Sequence, residues 1–585
     1  MFKGGFMQVL KNMTWFVKEN KKSYIIGILA LLSTYIFVPV STFIIGQIID
    51  GFRIGWMGKE NFKYYIIALF ASIILHYIAG YLWNYYIFRN AFLAEKESRS
   101  RILSKLLKQN PKFYYKNSTG SLMSKATHDV SNIGMLMGYG LMAFFEATVY
   151  PISLIMIMGI TVSWRLTFYS ILALPLMIVF AAKLGKILEE RFRSIQRSME
   201  RLNESVLENI TSIRVIKGFS TQEINKERFD EKAKSLFDAQ MDQSRLSALF
   251  FPIGRIIPGI TFVVALIVGE RMMGQGSLSL GQMVSFFMYL NMLTWPMLAF
   301  GDLINVIQES SSSLRRIQEI YDYEEDFKEK DNLKEYQGGQ DITFNQLSFT
   351  YPGEKQKALD NISFTIPAGQ TIGIVGKIGS GKTTLVKQLL RFYNVEEDSL
   401  LFGGESAENF TRESIRDKIG YVPQQHILFS KSVTDNILFG KADASIDQVN
   451  EAIEFADFSK DLHTLVDGVD TLIGEKGVSI SGGQKQRLSI ARAIIKDPEI
   501  LILDDSLSAV DALTEKKIVK NIQEQRVGKT TIIVAHRLSG LKHADHIIVL
   551  DQGRIVEEGT HEELLSNEGW YYDMVQTQKL GGQNG

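Results

Sequence analysis

The sequence predicts an α-helical transmembrane bundle of six spans with long cytoplasmic helical extensions, followed by an α/β domain built around a phosphate-binding loop. Three observations carry this prediction. Apolar segments crowd the first 310 residues, and the remainder reads as a soluble α/β domain. The loop Gly376-Lys377-Ile378-Gly379-Ser380-Gly381-Lys382-Thr383 lies between a strand-like run (371–375) and a helix-like one (384–390). Further on, Ser481-Gly482-Gly483-Gln484 precedes an apolar run, 500–503, that ends in Asp504-Asp505. These nucleotide-handling signals in this order are more specific than any one of them.

A chain of 585 residues is too long for one core. We expect a transmembrane domain over 1–320, a charged linker over 321–338, a nucleotide-binding domain over 339–578 and a short tail, 579–585. The 64 basic and 64 acidic residues cancel, which gives no reason to propose a nucleic-acid partner. The absence of cysteine excludes disulfides, thiolate metal sites and thiol redox chemistry, and it fits a bacterial inner membrane. Residues 1–22 carry several lysines and no export-type cleavage site, so they do not read as a cleavable signal.

Crossing a hydrocarbon core takes about 20 apolar residues in a helix. Six segments qualify: 23–49, 64–88, 136–161, 166–186, 246–269 and 283–307. The third and fourth form a hairpin about a tight turn at Trp164-Arg165. The loops 89–135 and 187–245 are long, helical in composition and rich in Lys and Arg, which places them and both termini in the cytoplasm. Pro39, Pro151, Pro175, Pro258 and Pro296 fall inside spans and are expected to kink them. Glu146, His76, Arg255 and Asp302 sit at membrane depth, where a charge costs roughly 2.5–3.5 kcal/mol unless it has a partner or a wet cavity. Two readings fit these residues. Either they line a path for cationic or amphipathic cargo, with Glu146 foremost, or they pair between helices, as Arg255 with Asp302 would.

In the second half, strand, glycine-rich turn and helix is the context that phosphate binding needs. Gly376, Gly379 and Gly381 let backbone N–H groups close around phosphates, with Ser380 among them, at a helix N-terminus. Lys382 adds positive charge, and Thr383 offers a hydroxyl to Mg²⁺, with Thr384 following it into the helix. The strand 500–503 delivers Asp504 beside the phosphates, where it can hold Mg²⁺ through water.

On these residues the second half resembles the ATP-binding cassette of ABC transporters, and the six-span half is similar to their exporter-type membrane domain. The resemblance covers nearly the whole chain and implies roles for further residues. Tyr351, in Phe349-Thr350-Tyr351-Pro352, matches the aromatic that stacks on adenine. Gln424, in Tyr421-Val422-Pro423-Gln424, matches the residue that senses the γ-phosphate and Mg²⁺. Gly474-Glu475-Lys476-Gly477 resembles an exporter-specific loop, Asp511 closes the D-loop Ser508-Ala509-Val510-Asp511, and His536 matches the switch histidine. Ser481, Gly482, Gly483 and Gln484 form the signature, which in this family caps ATP held by a second cassette. One cassette and six spans therefore imply half a transporter that must dimerise. Residues 113–122 resemble the first coupling segment, and Asn203-Glu204 with 208–219 the second.

One position departs from the pattern. Most cassettes carry glutamate after the Mg²⁺ aspartate as general base; here it is Asp505. The family resemblance makes this a mark of the degenerate-site subunit of heterodimeric multidrug exporters, whose partner has the glutamate. The implied function is ATP-driven export of hydrophobic or amphipathic compounds, with ATP and Mg²⁺ as cofactors. The alternatives are a homodimeric lipid or drug flippase in which Asp505 is a slow base, and an ATP-binding regulatory subunit.

Overall fold

Apolar runs continued by charged helical segments make the helices of the first half longer than a bilayer requires. The structure, a computed structural model, describes residues 13–172, 174–323, 332–474, 480–508, 510–535 and 538–582, with the side chains of 174–186 and 249–255 among those left aside. The chain divides into two units, Met1–Leu107 with Thr119–Tyr323, and Lys108–Ser118 with Glu324–Gly585.

In the first unit, Lys21–Ile54, Lys59–Leu107, Thr119–Ile171 and Leu280–Tyr321 are long enough to cross a membrane, and each holds an 18-residue stretch apolar enough to do so, with mean hydropathies over those stretches of 2.2, 1.9, 1.8 and 1.4. The expected spans 166–186 and 246–269 fall partly on side chains outside the described residues; the backbone is helical over Leu174–Thr211 and Gln222–Gly274. The turn expected at Trp164-Arg165 begins one residue earlier. Ser163 is extended (φ −170°, ψ 130°), and its hydroxyl accepts from the Leu166 amide to cap the next helix. Pro39 and Pro151 lie within helices, while Pro296 follows a helix restart at Thr294.

Small residues let two of these helices meet at backbone distance, as in many membrane bundles. A Cβ on Gly281 would stand 2.0 Å from the Gly46 carbonyl oxygen. Asp50 fixes the same contact by accepting from the Ser279 hydroxyl and, at 2.8 Å, from the Gly281 amide. One turn along, the Ser285 hydroxyl donates to the Thr42 carbonyl at 3.1 Å.

The second unit holds two sheets. The first comprises β1 (Ile342–Phe349), β2 (Leu359–Ile366), β4 (Leu400–Phe402) and β5 (Glu405–Ser406), antiparallel in the order β2-β1-β4-β5. The second comprises β3 (Thr371–Gly376), β6 (Ile419–Val422), β7 (Ile500–Asp504), β8 (Thr530–Val534), β9 (His546–Asp551) and β10 (Arg554–Gly559), in the order β10-β9-β3-β8-β7-β6. All its pairs are parallel except β9–β10. The parallel strands read as unbroken apolar runs because both faces are covered. Ile500 and Ile502 join a core with Leu385 and Phe344, while Leu501 and Leu503 join one with Leu488 and Tyr571. Within this unit, Asn110 caps the short helix Pro111–Lys116 and Phe113 is buried.

Candidate nucleotide site

Strand order gathers the motifs. β8 lies between β3 and β7, and β6 flanks β7, so the carboxyl ends of four adjacent parallel strands share one edge. Ligands of open α/β sheets bind at that edge. It carries the phosphate loop after β3, Asp504 and Asp505 at the end of β7, and Gln424 two residues beyond β6.

The loop needs its glycines for space as well as for torsion. Gly376 has φ 146°, and a Cβ there would stand 2.0 Å from the Leu550 carbonyl oxygen. Gly381, at φ 104°, caps the helix Lys382–Leu389, and a Cβ would approach the Ala358 carbonyl oxygen to 2.6 Å. Gly379 is also left-handed, at φ 81°, with open space beside it. The Lys382 ammonium folds back into the loop, donating to the carbonyls of Gly376 (2.9 Å) and Lys377 (2.8 Å), with the Ser380 hydroxyl at 3.5 Å. Burial lowers its pKa, against the pull of the Asp505 and Asp504 carboxylates.

Asp504 is fully buried. Its Oδ1 accepts from the Thr383 hydroxyl at 3.0 Å and its Oδ2 from the Tyr421 hydroxyl at 3.5 Å. Burial pushes this carboxyl above the usual range, and the Thr383 hydrogen bond opposes that. The Thr383 hydroxyl and the Asp504 carboxylate offer oxygen ligands, and the Gln424 amide oxygen could add a third, which suits a hard cation such as Mg²⁺. Among the described residues no cluster of three or more His, Asp and Glu could hold a metal alone. Such sets usually bind Mg²⁺ together with substrate phosphates.

Asp505 sits in the left-handed region, with φ 49°. Its amide donates to the Val534 carbonyl at 2.8 Å and its carbonyl accepts from the Ser508 hydroxyl at 3.0 Å. Its Oδ2 lies 3.4 Å from the Gln424 amide nitrogen. Tyr351 places its hydroxyl 3.1 Å from that of Thr384 and its ring edge-on to Tyr393, with the Lys387 ammonium 5.7 Å from the ring centroid.

Ser481 caps the helix Gly482–Ile494 through a capping box. Its hydroxyl accepts from the Gln484 amide at 3.3 Å, and the Gln484 side chain accepts from the Ser481 amide at 2.8 Å. Gly482 and Gly483 open the helix, leaving its N-terminal amides facing outward from an exposed end. Among the described residues no hydrogen bond joins 481–484 to the loop 376–383. Asp511 caps the helix Ala512–Gln525, and hydrogen bonds from the Thr514 hydroxyl and amide hold its carboxyl well below the usual range. His536, residues 475–477 and Ala509 lie outside the described residues.

Three features around these residues escaped the sequence reading: Tyr421 on Asp504, Lys387 over Tyr351, and a buried pair between Arg487 of the signature helix and Asp461 (2.6 and 2.8 Å). Tyr421 and Lys387 lie within stretches quoted above, but nothing local gave away their targets.

Membrane-crossing helices in one unit and, in the other, a sheet whose edge carries this residue set define a transporter driven by a nucleotide-hydrolysing cassette. The chain belongs to the ABC transporter family: residues 24–297 match the ABC transporter transmembrane region and 359–508 the ABC transporter cassette. It is 42% identical to the "Probable multidrug resistance ABC transporter ATP-binding/permease protein YheI" of Bacillus subtilis, over 98% of each chain. The "Multidrug resistance-like ATP-binding protein MdlA" of Escherichia coli is 33% identical, over 98% of this chain and 97% of that protein. Among solved structures, a bacterial Atm1-family ABC exporter with ATP bound matches with a TM-score of 0.79 at 25% identity, covering 95% of this chain and 99% of the other. The chain is thus an exporter-type half-transporter, a multi-pass membrane protein that hydrolyses ATP to drive transport and works as a dimer.

Proposed function

We propose that this chain exports hydrophobic or amphipathic compounds as the degenerate-site half of a heterodimer. The observation that carries the reading is Asp505 in an otherwise complete site. In this account Tyr351 stacks on adenine, while residues 376–382 hold the phosphates. Thr383, Asp504 and Gln424 would hold Mg²⁺, which would supply positive charge to the phosphate chemistry. His536 contacts the γ-phosphate, and Asp511 orders the D-loop. Asp505 accepts a proton from the attacking water poorly, because its stem is one methylene shorter than that of glutamate. The intact signature, Ser481 to Gln484, completes the competent site on the partner's phosphate loop, where the amides at its helix N-terminus face developing negative charge. The relatives described as multidrug resistance proteins support the cargo class.

The test is affinity purification of the tagged chain from its native membrane, followed by mass spectrometry of what accompanies it. We expect a second half-transporter in equal amount, with glutamate after its Mg²⁺ aspartate. Recovery of the chain with copies of itself alone would contradict the heterodimer.

A further inference from the structure

The membrane-crossing run Thr119–Ile171 is not a regular helix. Three of its turns, Lys125–Asp129, Leu136–Gly140 and Gly159–Ser163, are widened to π-helical geometry. Such turns within a helix gather at functional sites. In the middle one the Leu141 amide reaches back five residues, to the Leu136 carbonyl. The Met137 carbonyl, which that amide would serve in an α-helix, accepts instead from the Tyr24 hydroxyl at 3.5 Å.

Glycines make room for this turn. A Cβ on Gly138 would stand 2.8 Å from the Ala91 methyl carbon, and one on Gly140 would stand 3.1 Å from Val306. Next to Ala91, Asn90 is fully buried, and among the described residues neither polar atom of its side chain has a hydrogen-bond partner. The Ser23 hydroxyl, beside Tyr24 in the chain, is also buried and unpaired.

A static contact does not account for this arrangement. Buried amides are almost always paired, and hydrocarbon offers no water to pair them. An apolar side chain would suit position 90 better if the turn never moved. The turn itself holds what Asn90 lacks. A change to α-helical pairing returns the Leu141 amide to Met137 and frees the Leu136 carbonyl, which then needs a donor. Tyr24 loses its acceptor in the same step.

We infer that Leu136–Gly140 is a hinge of the transport cycle whose two states are held by Tyr24 and Asn90. In the state described above, Tyr24 bonds Met137 and Asn90 is unpaired. In the other, the Asn90 amide donates to the Leu136 carbonyl and its oxygen accepts from Tyr24. The exchange swings Leu141–Met158 relative to the helix Lys59–Leu107. It requires only that the chain is a transporter, and it stands whether the dimer joins like or unlike chains.

The chain has no cysteine, so spin labels can be placed at chosen sites. Phe92, on the helix facing the turn, and Ile152, beyond the turn, are 67% and 61% exposed. Both are replaced (Phe92→Cys, Ile152→Cys) and labelled in the full-length transporter, co-purified with its native partner subunit in nanodiscs. Double electron–electron resonance should resolve two distances, whose proportions change when ATP and vanadate are added. Asn90→Leu should leave one distance under both conditions while ATP binding is retained. Tyr24→Phe should act in the opposite sense and enrich the second distance without nucleotide. A single distance in the otherwise unaltered protein, or a nucleotide-driven change that survives Asn90→Leu, overturns the hinge. Should Asn90→Leu fail to fold, Tyr24→Phe decides, because proportions that it leaves unchanged also overturn the inference.

Discussion

Replacing Asp505 with glutamate is expected to raise ATP turnover at this chain's own site by about tenfold or more, and two opposing effects set the size. The longer stem advances the carboxylate by roughly 1.3 Å, and a misplacement of about 1 Å at a reacting centre can cost on the order of 100-fold. Against this, Asp505 holds a left-handed backbone (φ 49°). Aspartate tolerates that region better than glutamate, so the substitution adds strain on the order of 1 kcal/mol, about fivefold if all of it reached the transition state. Reach wins. Phosphate release by the Asp505→Glu heterodimer, with the partner's own phosphate-loop lysine replaced, is the measurement. Unchanged turnover would mean that something other than Asp505 slows this site. A loss of nucleotide response without any gain in turnover would instead favour a regulatory subunit.

Arg487→Ala is expected to be the most destabilising of the substitutions considered. Arg487 and Asp461 are 6% and 7% exposed and joined by two hydrogen bonds. Truncating the arginine leaves a buried carboxylate uncompensated, which costs about 3–5 kcal/mol and lowers the cassette's melting temperature by on the order of 10 °C. Asp461 also receives the Gln484 side chain at 3.4 Å, so the signature helix loses its anchor along with its ion pair. ATPase activity at the partner's site should fall with it, while ATP binding at Lys382 persists. The double replacement Asp461→Leu with Arg487→Met should recover most of the lost melting temperature, since a buried pair exchanged for apolar groups is often neutral. A single variant melting within about 2 °C of the wild type would contradict this reading of the pair.

Much of the site is legible in the sequence because phosphate chemistry dictates residue types at fixed spacing. The loop 376–383 and the strand ending in Asp504 are local patterns, and a parallel sheet covered on both faces forces the apolar runs that frame them. The hydropathy of 23–49 and 64–88 likewise requires nothing beyond the chain itself. Contacts between distant segments are another matter. Nothing near Asp504 announces Tyr421, and nothing in the signature announces Asp461, 23 residues before Gln484. Aspartate at 505 is plain in the sequence, but its left-handed backbone follows from the way the chain leaves β7, with the Asp505 amide bound to Val534. In the membrane unit, Glu146 and Asp302 stand out as costly charges. Their partners, an indole on another helix and a tyrosine hydroxyl, could not be chosen from hydropathy.

On the heterodimer reading proposed above, this chain supplies a slow site and needs a different subunit for the competent one. Mg²⁺-ATP turnover by the purified chain alone in lipid nanodiscs, beside a Lys382→Ala control, tests it most directly. Negligible turnover is expected, with ATP binding retained by the wild-type chain. Steady turnover that the Lys382→Ala substitution abolishes would reveal a working homodimer and contradict it.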